Sequence, residues 1–111
     1  MNPTQQQVQD AFQQLYDSLN DAYWSASTIE NKDRIRGCAD VIFDILSQLT
    51  ADGIASRSAD FQQLKSSVQS VKSKLQELQK EIDGVIHNIE VASKVADGIG
   101  KALDTAARFL A

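Results

Sequence analysis

The chain is short of the residues that interrupt helices. Its one proline is Pro3, and five glycines are spread over 111 residues. Nothing beyond the third position therefore forbids a long helix. Aromatic residues make up only 6% of the chain, and the β-branched and aromatic types that fill strands are outnumbered by Gln, Ser, Ala and Leu. This composition excludes a sheet protein and predicts an all-α one. The single cysteine, Cys38, has no intramolecular partner, so it gives no sign of an oxidising compartment. No window approaches the ~18 consecutive apolar residues of a membrane span, and no N-terminal apolar run follows a basic segment. The expectation is a chain with no Sec signal and no transmembrane helix, cytoplasmic by default, with secretion by a route needing no cleaved signal left open.

Also lacking is any cluster of Lys and Arg. Net charge is −4, and the acidity belongs to the first half, where Asp10, Asp17, Asp21, Asp40 and Asp44 lie. Without a basic stripe to displace counterions, nucleic acid is not an expected partner. Groups for chemistry are just as sparse. The one histidine, His87, falls on an outer column with Lys80, Lys94 and Lys101, and no nucleophile is placed beside it. Cys38 falls on an apolar stripe, where a small core residue is expected. Glu-x-x-His is absent, and Gly98-Ile99-Gly100 follows no strand as a phosphate loop would. The sequence therefore predicts no catalytic residue, no cofactor and no metal, and a protein that is not an enzyme.

What the chain does have is helical periodicity. From Phe61 to Leu110 apolar or small residues recur at alternating steps of three and four: Phe61, Leu64, Val68, Val71, Leu75, Leu78, Ile82, Val85, Ile89, Ala92, Ala96, Ile99, Leu103, Ala106 and Leu110. Held for about seven heptads, this spacing predicts one long helix over residues 58–111 of a coiled coil or bundle. Four acid-to-base pairs at i,i+4 support continuity through Gly84 and Gly98: Asp83 with His87, Glu90 with Lys94, Asp97 with Lys101, and Asp104 with Arg108.

Upstream, a first amphipathic helix is expected at about 3–26, with Val8, Phe12, Leu15, Leu19 and Ala22 on its stripe and Thr4-x-x-Gln7 as a capping box. Ser27-x-x-Glu30 is a candidate box for a second helix at about 28–52, carrying Ile35, Cys38, Ala39, Ile42, Leu46 and Leu49. Gly53 fits a left-handed C′ position with Ile54 folding back on Leu49, and Ser56 or Ser58 is a candidate cap for the long helix. The whole is a single helical domain: an N-terminal helical hairpin packed on a long heptad-patterned helix. The alternative is a compact four-helix bundle with a break near Gly84.

Since the hairpin would cover less than half of a helix roughly 80 Å long, the projecting half needs a partner. The expected self-association interface is Ile82, Val85, Ile86, Ile89, Val95, Ile99, Leu103, Phe109 and Leu110, with small residues such as Ala92, Ala96 and Gly98 letting another helix approach closely. Trp24 lies off the stripe of its own helix. With Tyr23, Asp17 and Asp21 it forms a second candidate surface, for contact with a partner protein, unless it closes the end of the bundle. Helix-mediated assembly is thus the expected function, with the chain itself or another protein as partner. Two alternatives stand beside it, a small acidic inhibitor or immunity-type protein covering a basic partner, and a membrane-active amphipathic helix. The balanced charge of the tail makes membrane contact the weaker of these.

Overall fold

A computed structural model describes residues 2–111. Among these residues there are five α-helices: α1 (Gln5–Trp24), α2 (Ile29–Gln48), α3 (Ser58–Lys80), the single turn α4 (Ile82–Val85) and α5 (Ile89–Leu110), with a 3-10 turn at Ile54–Ser56. The protein is the all-α bundle the composition predicts. Of the two arrangements open to the sequence, it adopts the compact one.

The helix starts follow local chemistry. The Thr4 hydroxyl accepts from the Gln7 N–H at 3.1 Å, while the Gln7 side chain accepts from the Thr4 N–H at 2.8 Å. This is the expected capping box, satisfying two donors that a helix start leaves free. At α2 the cap is Thr28, whose hydroxyl accepts from the Asn31 N–H. The box expected from Ser27 does not form, because the Ser27 hydroxyl donates to the Gly84 carbonyl instead. Neither Ser56 nor Ser58 caps α3. Arg57 precedes that helix without a side-chain cap, and it pairs with Asp60 in the first turn. Gly53 is left-handed as expected (φ 60°), but α2 has already ended at Gln48, so Gly53 starts the 3-10 turn rather than terminating the helix. Leu49 and Ile54 are both buried.

The expected helix over 58–111 is broken. The chain leaves α-geometry at Glu81 (φ −102°, ψ 11°) and again at Ile86, which is extended (φ −121°, ψ 119°). A helix resumes at Ile89 because the Asn88 side chain accepts from the Glu90 and Val91 N–H groups at 3.0 and 3.1 Å. Gly84 sits inside α4 without a left-handed φ, so the break does not depend on its freedom. It depends on burial. Folded back, α5 covers its apolar face with α1 and α3 of its own chain, and that gain exceeds the few helical hydrogen bonds forgone at the turn.

The break also rotates the buried face. On α3 and α4 the stripe is the expected Leu64, Val68, Val71, Leu75, Leu78, Ile82 and Val85. On α5 it runs Ala92, Val95, Ile99, Ala102, Ala106, leaving Ile89 outside. The heptad phase therefore slips across the turn. Of the four acid-to-base pairs, Asp104 and Arg108 close an ion pair at 3.1 Å. Asp83 lies in α4 and His87 in the turn 86–88 itself.

The four long helices form a ring in which α1 touches α2 and α5, and α3 touches α2 and α5. Successive helices run antiparallel, in a body 42 × 25 × 19 Å. The loops 25–28 and 86–88 share one end, and the loop 49–57 and both termini share the other. Phe12, Leu15 and Leu19 of α1, Ile42 and Ile45 of α2, Leu75 and Leu78 of α3 and Ile99 of α5 fill the interior.

The small residues of the C-terminal region do admit a neighbouring helix, and that helix is α1. A Cβ at Gly98 would lie 3.6 Å from the Leu15 Cα and 3.5 Å from its side chain, an ordinary contact that one methyl fits. Gly98→Ala is therefore expected to be neutral or stabilising by up to ~1 kcal/mol through helix propensity, whereas Gly98→Leu wedges α1 from α5 and should cost ~1–3 kcal/mol or more. Urea denaturation of the two variants checks the opposite signs.

Candidate functional site

The loop end is built from two matching corners. The Ser27 N–H donates to the Val85 carbonyl (2.9 Å) and the His87 N–H to the Ser25 carbonyl (3.1 Å), so that Ala26 and Ile86 form an isolated antiparallel bridge. Each loop then ends in a polar cap followed by isoleucine and glutamate: Thr28-Ile29-Glu30 opens α2 and Asn88-Ile89-Glu90 opens α5. Ile29 and Ile89 are the first residues of α2 and α5, each on the outer side of its helix, and they are 77% and 83% exposed.

Trp24, the last residue of α1, is at the same end and 78% exposed, so it does not close the bundle. It meets Tyr23 edge-on, ring centroids 5.2 Å apart. The Lys32 ammonium lies 5.5 Å from the Tyr23 ring centre and 5.9 Å from that of Trp24, and the Arg36 guanidinium 5.0 Å from Tyr23. These cations from α2 hold the aromatic pair by attraction to the ring faces. Beneath them a groove of about 260 Å³ runs between α1 and α2, lined by Tyr16, Asn20, Tyr23, Trp24, Arg36 and Asp40.

The four residues expected to make one partner surface divide into two. Tyr23 and Trp24 face α2. Asp17 and Asp21 lie on the other flank of α1, where they line a groove of about 380 Å³ with Lys94, Asp97 and Lys101 of α5. Lys94 and Lys101 thus line the same groove as these carboxylates.

The residues expected at a self-association interface are placed mostly inside the chain. Ile82, Val85, Ile86, Val95 and Ile99 are buried, Leu103, Phe109 and Leu110 are partly buried against the core, and Ile89 alone is exposed. Phe109 packs on Phe61 at 6.0 Å. Residues 83–110 do not project, so the apolar area that would demand a second subunit is covered by α1 and α3.

Cys38 is buried on the inner face of α2, and burial pushes its thiol up from the ordinary value. Arg34 and Lys74 act in the opposite direction, basic neighbours that the position of Cys38 on an apolar stripe does not reveal, and burial prevails. The group is held as the neutral thiol, the form that is the poorer nucleophile. The His87 side chain is exposed. Among the described residues no three His, Cys, Asp or Glu side chains are grouped to hold a metal ion, and no helix is long and apolar enough to cross a membrane.

Ile29 is a site residue that the sequence does not single out. Its signal is the repeated cap-Ile-Glu triplet at 28–30 and 88–90, which becomes legible only once 86–88 is known to be a loop. Comparison with protein-family models, with curated proteins and with solved structures finds no match to this chain.

Proposed function

We propose that this chain is a non-enzymatic, cytoplasmic interaction protein that binds another protein through the loop end of its bundle, with Trp24, Ile29 and Ile89 as anchors. The observation that supports this reading is the exposure of three large apolar side chains at one end of a bundle whose other large apolar residues, among those described, are, Phe43 apart, buried or partly so. Together they present on the order of a few hundred Å² of apolar surface, the size of the functional patches found on monomers. Tryptophan is prominent among interface hot spots, and a two-loop end tied by backbone hydrogen bonds positions such anchors in advance. The area suits a transient complex, below about 1,200 Å² in total, rather than an obligate one.

Trp24 is the only tryptophan, so its fluorescence reports directly on this end. A photo-crosslinking residue at 24, 29 or 89 is expected to capture one and the same protein, and the same group at Ser73, on the exposed face of α3, is expected to miss it. With that protein purified, binding should shift the Trp24 emission to shorter wavelength. Trp24→Ala should weaken the complex roughly thirtyfold or more, as a hot-spot truncation does, while moving folding stability by less than ~0.5 kcal/mol, as an exposed substitution does. A complex that forms without a change in Trp24 emission and tolerates Trp24→Ala overturns the proposal.

A further inference from the structure

We infer that the turn 86–88 is a hinge through which two copies of this chain exchange α5, each copy straightening α3, α4 and α5 into one helix and laying its α5 on the α1 and α3 of the other. Of the residues between α3 and α5, Ile82–Val85 already form a helical turn, and the Ile86 N–H still donates to the Ile82 carbonyl at 3.0 Å as a helical residue does. None of the connecting residues has a positive φ, and proline is absent, so no side chain resists the helical conformation. Straightening gives up the two bridge hydrogen bonds, the Ser27 hydroxyl to the Gly84 carbonyl, and the two Asn88 cap bonds. It makes in their place the helical bonds of the N–H groups of residues 87 to 91, requires Glu81 (φ −102°, ψ 11°) to return to α-geometry between α3 and α4, and brings Asp83 to within one turn of His87 on the same face.

The exchange leaves nearly every other contact intact, because each α5 meets the same α1 and α3 surfaces in the partner copy. Only a second copy offers that groove, since the bed left by α5 between α1 and α3 is shaped by its close approach at Gly98. Exchange of an identical element is a low-cost route to a dimer. The monomer keeps the advantage at low concentration, where the association cost decides. Opening also separates Ile89 from the loop 25–28, so the dimer loses the surface assigned above to a partner. That consequence rests on the loop-end reading, whereas the exchange itself does not.

Four variants separate the possibilities, Ile89→Ala serving as the control for the loss of the isoleucine side chain. Asn88→Ala removes the α5 cap that only the closed form uses. Each cap is worth roughly a factor of five in an equilibrium, so the dimerisation constant should rise roughly thirtyfold for the pair. Ile89→Pro suits the closed form, as proline is accommodated at the first position of a helix after an extended residue. In a continuous helix it is an interior proline and should suppress exchange by at least about a hundredfold per chain. Ile29→Pro, its counterpart at the α1–α2 corner, should leave exchange unchanged.

The chains are refolded at high concentration and separated by size with light scattering, and the melting of each monomer is recorded, Asn88→Ala being expected to melt lower by the loss of its cap. Spin labels at Ser66 and Lys101, with labelled chains diluted into unlabelled ones, should give an intrachain distance of about 50 Å in the dimer and a much shorter one in the monomer. The inference is overturned by no dimer from either wild type or Asn88→Ala, by a dimer whose intrachain distance stays short, or by a dimer that persists in Ile89→Pro. If Ile89→Ala abolishes the dimer as fully as Ile89→Pro does, the contact is made by the exposed isoleucine and not by exchange.

Discussion

Ile99→Asp is expected to unfold the entire chain, whereas Ile89→Asp, ten residues earlier in the same helix, is expected to leave it folded. Ile99 has no exposed surface and lies where α5 meets the rest of the core. Its replacement forfeits ~1.5–3 kcal/mol of apolar burial, and it places a carboxylate where no basic side chain is paired with it. The effective penalty of a buried ion is several kcal/mol more, unless the group takes up a proton and remains as a neutral but unpartnered acid. The sum, roughly 5–8 kcal/mol, reaches the lower part of the ~5–15 kcal/mol that stabilises a typical domain, enough to unfold one of marginal stability. Ile89 is 83% exposed at the positive end of the α5 dipole, where a carboxylate is tolerated or mildly favourable.

The contrast also discriminates between architectures. On one straight helix Ile89 and Ile99 belong to a single seam, so both substitutions would dissociate an oligomer while α1 and α2 stayed folded. In the bundle α5 is part of the only core, and its loss takes α1 with it. Far-UV circular dichroism and light scattering on the two purified variants check the result. Parallel behaviour of the pair would contradict the bundle.

Much of this fold is written in the spacing of apolar residues. The stripes of α1, α2 and α3 are read directly, because each helix packs along one face and its period carries that face. Thr4 and Gln7 announce the first cap because both partners of the box lie within four residues. The turn at 86–88 is harder to see. Val85, Ile86 and Ile89 continue a helical spacing without interruption, and the Asn88 cap is hidden within a run that also suits a helix interior. What decides between straight and folded is the bed that α1 and α3 provide for α5. That is a property of residues 8–22 and 64–82 together, and no local window contains it. The same long-range packing fixes the rotation of α5, and therefore whether Ile89 or Val95 is buried.

The candidate site divides along the same line. Trp24 stands out in the sequence because it falls off the stripe of its own helix, which needs only local geometry. Asp17 and Asp21 group with it in sequence because nothing in α1 alone says that α5, with Lys94 and Lys101, occupies their flank. Ile29 and Ile89 become a pair only when the bridge between Ala26 and Ile86 brings the two loops together.

At the opposite end, Gln5 is a single side chain that closes the bundle, and its loss is expected to cost about 2 kcal/mol. Its amide donates to the Leu49 carbonyl (2.9 Å) and the Ala51 carbonyl (2.7 Å), and its oxygen accepts from the Ile54 N–H (3.1 Å). Those three groups run from the residue after α2 to the first residue of the 3-10 turn, a stretch with no regular helix to satisfy them. Each hydrogen bond contributes ~0.5–1.5 kcal/mol net. The site is only partly buried, so water replaces some of what is removed, and the total falls toward the lower half of the sum. For a chain of this length that is a drop in melting temperature of about 8 °C. Gln5→Met keeps the shape and removes all three bonds. Gln5→Glu keeps the acceptor for Ile54 but sets a carboxylate against two carbonyls, so it should be no better than Met. Hydrogen exchange gives the decisive reading. The Ile54 amide should lose protection in Gln5→Met and Gln5→Ala well before the core amides of α1 and α3 do, because the loop 49–57 opens locally. If the Ile54 amide keeps its wild-type protection in both variants, the loop is held by the burial of Leu49 and Ile54 alone.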